Sequence, residues 1–209
     1  MLIAVLVVVS YVLGSLSGSL LLGRLRGVDI RTQGSGNAGG TNALRTQGWK
    51  FALGTVIVDV GKGALAAGLA AIFAAPAARE SAILLCVLAA VVGHVWPVFH
   101  GFRGGKGAAT LVGGLLVAWP WALPGVIGAW VLTLVITGYV GLSTVIAGAS
   151  LLATAWGFGE GTPRLGFALV ASLFLLYTHR GNLSRLRAGT EPRFERARIF
   201  ARLFSRKTA

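Results

Sequence analysis

Residues 51–75 read FALGTVIVDVGKGALAAGLAAIFAA. A helix of about 20 apolar residues covers the ~30 Å hydrocarbon core of a bilayer, and this stretch is longer than that. Asp59 and Lys62 are its two charged residues, and their three-residue spacing puts them on one helical face. Charges at membrane depth are costly, so these two are expected to pair or to support a site. The stretch decides for a helical membrane protein.

The chain on either side agrees. Residues 2–22 form a first apolar span, with Gly14 and Gly18 four apart, as are Ser15 and Ser19. That small-xxx-small spacing lets another helix approach closely. The first 22 residues lack the basic start of a signal peptide, and Arg24 and Arg26 follow the apolar run, so they read as a retained helix. Residues 23–50 form a long polar segment. Further apolar segments run 81–99, 108–118, 123–137, 142–156 and 165–178; the 108–118 segment is about half a normal span. Pro97 is expected to end or kink the third span. Trp119 and Trp121 read as interface anchors. The expected fold class is all-α: a seven-transmembrane-helix bundle in one integral-membrane domain over 1–209, with a basic tail at 179–209.

Composition narrows the class further. Of 209 residues, 55% are hydrophobic and 12% are charged, and mean hydropathy is +0.78. Soluble domains carry about 25% charged residues. The single cysteine, Cys86, excludes an intrachain disulfide and reads as a buried thiol. Net charge is +13, and its placement is informative. With seven spans and the N-terminus outside, the inner segments 23–50, 100–107, 138–141 and 179–209 hold five, two, no and nine Lys or Arg residues, while the outer segments hold just Arg79 and Arg164. The positive-inside rule then puts the C-terminus in the cytoplasm. The charge reads as topology and anionic-lipid contact, not nucleic-acid binding.

Every polar constellation falls on that inner face. Gly34–Asn42 is dense in small donors: Ser35, Asn37, Thr41 and Asn42 stand among Gly34, Gly36 and Gly39, with Arg45 just beyond. The glycine spacing matches a dinucleotide fingerprint, but a membrane span precedes it where a strand is required. A substrate site is favoured there over a flexible loop. Gly101–Thr110 holds four glycines with Arg103 and Lys106. It fails the P-loop pattern, because His100 stands where the first glycine belongs and Gly107 where Ser or Thr belongs. What survives is simpler: Gly104, Gly105 and Gly107 allow close approach of a phosphate and Lys106 supplies a point charge, with Thr110 just behind. Arg103 reads as a surface cation. His179 and Asn182 close the last span, with Glu191 in support. Ser143 is a weaker member whose plain alternative is a helix N-cap. His94 and His100, six apart with no carboxylate, make a poor metal site and read as helix-end packing.

There is no Ser-His-Asp arrangement, no cysteine nucleophile and no pair of carboxylates on the inner face. Such a site is rich in cations and donors and poor in general bases. It favours a substrate that is already activated and carries phosphate, with catalysis by positioning and charge stabilisation.

These residues resemble a known family. Asp29-x-Arg31-x-x-Gly-Ser-Gly-Asn-x-Gly-x-Thr-Asn42, Gly105-Lys106-Gly107-x-Ala-Thr110 and His179-Arg180-x-Asn182-x-x-Arg185-Leu-x-x-Gly189-x-Glu191 look like the three motifs of the bacterial membrane glycerol-3-phosphate acyltransferases, the PlsY family. The resemblance covers essentially the whole chain. Gly40 stands where the family usually has alanine. Ser17-Gly18 stands where many members have isoleucine-proline or a similar pair, which leaves the bend of the first span open.

The resemblance implies transfer of a fatty acyl group from acyl phosphate to the 1-hydroxyl of sn-glycerol 3-phosphate, giving lysophosphatidic acid and phosphate. This is the first acylation of phospholipid synthesis, at the cytoplasmic side of the inner membrane. It implies no cofactor and no metal. The partners are the two substrates and membrane lipid, with room for a transient contact with a soluble enzyme that makes acyl phosphate. Arg45 and Lys106 would bind phosphate and stabilise charge; Ser35, Asn37 and Asn42 would position substrate. His179 and Asn182 would orient glycerol phosphate, with His179 as a candidate base. A transporter of a phosphorylated solute is the competing reading, but it needs a midplane site and paired repeats, and no repeat is visible.

Overall fold

The computed structural model describes residues 1–197, so the basic tail read at 179–209 lies outside the described residues from 198 onward. Among the described residues all regular structure is helical, with no strand. The chain divides into two compact units, residues 1–120 and 121–209.

The first unit holds α1 (Leu2–Gly14), α2 (Gly18–Leu25), α3 (Gly40–Gln47), α4 (Trp49–Phe73), α5 (Arg79–Val95) and α6 (Ala108–Ala118). Helix α4 is its axis and packs against α1, α2, α3, α5 and α6, while α1 also packs on α5. Close helix approach explains this arrangement. A Cβ on Gly63 of α4 would strike the Thr110 carbonyl of α6, and one on Gly113 would strike the Val60 carbonyl. Gly14 of α1 stands in the same way over the Ala90 carbonyl of α5, and Gly93 over that of Tyr11. In lipid, where side chains gain little by leaving an equally apolar solvent, such backbone-level packing is a main source of helix association.

The first span is not one helix. It breaks at Ser15–Ser17 and bends 45° between α1 and α2. The bend left open by the sequence is therefore present without a proline. The segment 23–50, read as simply polar, is more ordered than expected: it contains the end of α2, a 3-10 turn at Ile30–Thr32 and all of α3.

The second unit holds α7 (Leu123–Thr137), α8 (Val140–Gly157), α9 (Thr162–Thr178) and α10 (Arg180–Arg187). A two-residue turn, Gly138–Tyr139, reverses α7 into α8, and α8 packs on α9. The Ser172 hydroxyl donates to the Gly148 carbonyl at 2.6 Å across that pair. Hydroxyls of Thr133, Thr137, Thr144 and Thr154 each donate one turn back, which satisfies them inside apolar helices.

Among the described residues, four helical segments, Trp49–Phe73, Pro76–His100, Pro120–Thr137 and Val140–Gly157, are long and apolar enough to cross a membrane, and the bent pair α1–α2, taken as one span, adds a fifth. Helices α6 and α9 are apolar but shorter. The seven apolar segments of the sequence are thus all helical, and four or five of them reach spanning length.

Candidate active site

In the first unit the Gly34–Asn42 stretch rests on a small apolar platform. Ile30, Ala38 and Ala43 are fully buried there with Leu20 and Phe51. Asn42, in α3, is buried beneath the turn. Its Oδ1 accepts the Ser35 N–H at 2.9 Å, and its Nδ2 donates to the carbonyls of Ile30 at 3.1 Å and Gln33 at 3.0 Å. That uses three of the amide's four bonding positions on the loop itself. Gly34 and Gly36 both adopt left-handed backbone, φ +56° and +71°. The Ser19 hydroxyl pins the loop to α2 through the Ala38 carbonyl at 2.8 Å. Ser35 is left exposed, Asn37 and Thr41 half-buried, and Arg45 exposed in the last turn of α3.

The Gly101–Gly107 turn folds back over the end of α5. Gly101 and Phe102 are both left-handed, and the Phe102 N–H donates to the Pro97 carbonyl at 3.0 Å. The N–H groups of Gly104 and Gly105 donate to the carbonyls of Val95 and His94, each at 3.1 Å. Gly107, φ +89°, caps α6 with no side-chain bond to its first turn. The opening N–H groups of a helix have no partner within it and carry the positive end of its dipole. Lys106, half-buried, stands immediately before them. A cation ahead of a glycine-capped helix N-terminus has the electrostatics that favour an anion. Thr110 is fully buried, with its carbonyl against Gly63 at the α4–α6 crossing.

Arg31 joins the two stretches. Its Nη1 donates to the carbonyls of His100 at 2.8 Å and Arg103 at 3.1 Å. Asp29 holds the other edge of the guanidinium, at 3.0 Å to Nε and 2.7 Å to Nη2. The side-chain hydrogen bond to Arg31 keeps the Asp29 carboxyl below the usual range, against partial burial that pushes it up. Sequence reasoning quoted both residues in a motif but gave neither a role. The signal was an acid two positions before an arginine, close enough to orient it.

In the second unit His179 follows α9 and is buried, with Nδ1 2.9 Å from the Leu175 carbonyl oxygen. A carbonyl can only accept, so Nδ1 carries the proton and Nε2 holds the lone pair of the neutral ring. Asn182, on α10, donates from Nδ2 to Glu191 Oε1 at 2.5 Å, and Arg185 Nε donates to Glu191 Oε2 at 2.8 Å. Buried Glu191 thus braces both donors. Gly141 of α8 sits directly on Asn182, whose side chain a Cβ there would overlap. The segment after α10 returns to the α7–α8 turn, where the Phe194 N–H donates to the Gly138 carbonyl at 2.8 Å and Arg193 Nε to the Tyr139 hydroxyl at 2.6 Å.

Two sequence readings need correction. Ser143 is not an N-cap: α8 begins at Val140 with Tyr139 as its cap, and the buried Ser143 hydroxyl donates to the Tyr139 carbonyl at 2.9 Å. His94 is not simple helix-end packing: its Nδ1 lies 2.8 Å from Lys62 Nζ, inside an ion pair.

Comparison with known proteins agrees with this architecture. The profile of the family described as Glycerol-3-phosphate acyltransferase matches residues 4–189. The glycerol-3-phosphate acyltransferase of Alkaliphilus metalliredigens (strain QYMF) is 43% identical over 196 residues, which covers 93% of this chain and 97% of that one. The enzyme of Synechococcus sp. (strain CC9902) is 42% identical over 190 residues, with 90% and 93% covered. Among solved structures, the chain is similar to PlsY (YgiH), an integral membrane glycerol 3-phosphate acyltransferase. Its glycerol 3-phosphate form gives a TM-score of 0.86 at 33% identity, covering 93% of this chain and 96% of that one. Its lysophosphatidic acid form gives 0.84 at 32%, with 92% and 95% covered. With the match running from residue 4 to 189 and the helical membrane architecture shared, the chain belongs to the PlsY family of glycerol-3-phosphate acyltransferases.

Proposed function

We propose that this protein moves a fatty acyl group from acyl phosphate to the 1-hydroxyl of sn-glycerol 3-phosphate, releasing lysophosphatidic acid and inorganic phosphate. The observation that carries the reading is Lys106 standing ahead of the Gly107-capped N-terminus of α6. This is where a phosphate leaving group would be held and its charge stabilised.

Acyl phosphate is a mixed anhydride, so the reaction needs no covalent enzyme intermediate. The hydroxyl oxygen attacks the acyl carbonyl carbon, and the carbon–oxygen bond to phosphate breaks, with the electron pair leaving on phosphate. The hydroxyl proton passes to a substrate phosphate oxygen, with His179 Nε2 as the candidate acceptor on the protein. Lys106 and Arg45 neutralise phosphate charge. Ser35, Asn37 and Thr41 position substrate, and Gly34, Gly36, Gly104 and Gly105 leave room for its close approach, the N–H groups of the last three being already bonded to the carbonyls of Gln33, Val95 and His94. Asn42 holds the Gly34–Gly36 turn in shape from below. In the second unit, His179 and Asn182 orient glycerol phosphate, and Glu191 braces Asn182. The acyl chain stays in the bilayer throughout.

The topology belongs to the same proposal: seven crossings, N-terminus outside, and all three motifs at the cytoplasmic face of the bacterial inner membrane. The count of Lys and Arg by segment supports it.

Release of inorganic phosphate from acyl phosphate by the purified protein is the test. Release is expected to depend on glycerol 3-phosphate and to match lysophosphatidic acid formed one for one. Equal turnover with an acyl-CoA donor would overturn the donor assignment.

A further inference from the structure

We infer that the buried Asp59–Lys62–His94 network positions the Gly104–Lys106 turn, so that three side chains at membrane depth set the placement of the cation at the phosphate. The inference rests on the reading above that Lys106 meets a substrate phosphate.

All three side chains are nearly sealed, with Asp59 1%, Lys62 5% and His94 2% exposed. Lys62 Nζ lies 2.9 Å from Asp59 Oδ1, 2.8 Å from His94 Nδ1 and 3.0 Å from the Leu16 carbonyl oxygen. An ammonium has three protons, and these three acceptors take them all. Asp59 Oδ1 also accepts the Gly18 N–H at 3.1 Å. The pair therefore binds the break itself, at Leu16, and the first residue of α2, where irregular backbone at membrane depth needs partners.

His94 carries the network to the turn. With Nδ1 accepting from Lys62, the neutral ring holds its proton on Nε2. That edge faces Gly105, because a Cβ on Gly105 would fall on Nε2, and one on Gly104 would fall on the His94 carbonyl. The same two glycines donate their N–H groups to Val95 and His94. The turn is thus seated on His94 by ring and backbone together, and the next residue is Lys106. Outside the network, Arg31 grips the other end of the turn through the carbonyls of His100 and Arg103.

Stability alone does not account for such a network. A buried ion pair roughly breaks even against apolar side chains of the same volume, while its bonds are directional. Here those bonds run from the broken first span through α4 and α5 to the turn.

A mutant cycle with Lys106 tests the inference. Asp59→Asn with Lys62→Met removes both charges together and leaves no unpaired ion buried; thermal melting and size exclusion in detergent establish that it folds. With acyl phosphate and glycerol 3-phosphate, kcat is expected to fall about ten-fold or more in the wild-type background. Added to Lys106→Ala, the same pair is expected to cost less than about two-fold, because the network acts through that lysine. Equal losses in the two backgrounds would mark a merely structural role and overturn the inference, as would an unchanged kcat. A fully active Lys106→Ala enzyme would be a different failure, of the reading of Lys106 itself. If the charge-free pair does not fold, Gly105→Ala asks the same question from the loop side. It is expected to lose about ten-fold in kcat alone, and less than about two-fold when added to His94→Ala, which empties the space beneath it. A fully active Gly105→Ala enzyme would overturn the inference.

Discussion

At the scale of single residues, the proposed chemistry rests on Lys106 in the first unit and His179 in the second. Lys106→Ala is expected to lower kcat by about a hundred-fold or more in folded protein, the scale seen when one preorganised charge-stabilising group is removed. A near-normal rate of phosphate release would count against it. His179→Gln separates orientation from proton transfer, since glutamine can donate hydrogen bonds but is no base at neutral pH. Loss of activity with KM for glycerol 3-phosphate unchanged is expected if Nε2 takes the proton, and recovery of the full rate would exclude that role. Asp29 gives a pH prediction. Its carboxyl is held low by Arg31 in the folded chain, so its contribution is present above the ordinary carboxylate range and is lost as pH falls through the depressed folded value. Melting curves of wild type and Asp29→Asn are expected to differ at pH 7 and to draw together only as pH falls through that depressed folded value. Ser35, Lys106, His179 and Asn182 could be named as candidates from the sequence, because their chemistry lies in their type. The jobs of Asn42, Arg31 and His94 were not legible there. Arg31 and His94 depend on partners distant in sequence, as Lys62 is from His94 and His100 from Arg31, and Asn42 on how its own loop folds.

At the scale of elements, the lengths of the apolar blocks marked the helices, and the spacing of Gly14 and Gly18 marked close approach in the first span, while the crossings at Gly63, Gly93 and Gly113 came from the structure. Two short helices were missed. Helix α3 is polar and eight residues long, and α10 likewise; neither presents an apolar period long enough to stand out, and tertiary contact holds both. The break in the first span was hidden for a different reason. Its backbone is satisfied by Asp59 and Lys62 from another helix, so no local residue announces it. Packing at the α4–α6 crossing leads to a direct prediction. Gly113→Leu is expected to destabilise the protein by about 2–3 kcal/mol or more, since the side chain must displace backbone rather than neighbouring side chains. Its melting temperature in detergent, compared with that of Leu116→Ala on the exposed side of α6, measures this.

At the scale of the whole molecule, charge placement predicts orientation. In a Cys86→Ala background, Glu160→Cys and Arg187→Cys occupy opposite ends of the α9–α10 segment. A membrane-impermeant maleimide applied to intact cells is expected to label the first and not the second, and the reverse pattern would invert the proposed topology.

The glycine crossings also shape how the protein can vary. At Gly14, Gly63, Gly93 and Gly113 the atom that forbids a side chain is a backbone carbonyl oxygen, which every amino acid possesses. A lesion at any of these four positions has no compensating substitution at its contact partner, so a suppressor screen would return true revertants alone. Gly105 differs in kind, because what it faces is the ring of His94. A smaller residue at 94 would relieve the clash there but would lose the contact of His94 with Lys62, so packing is restored and the rate is not.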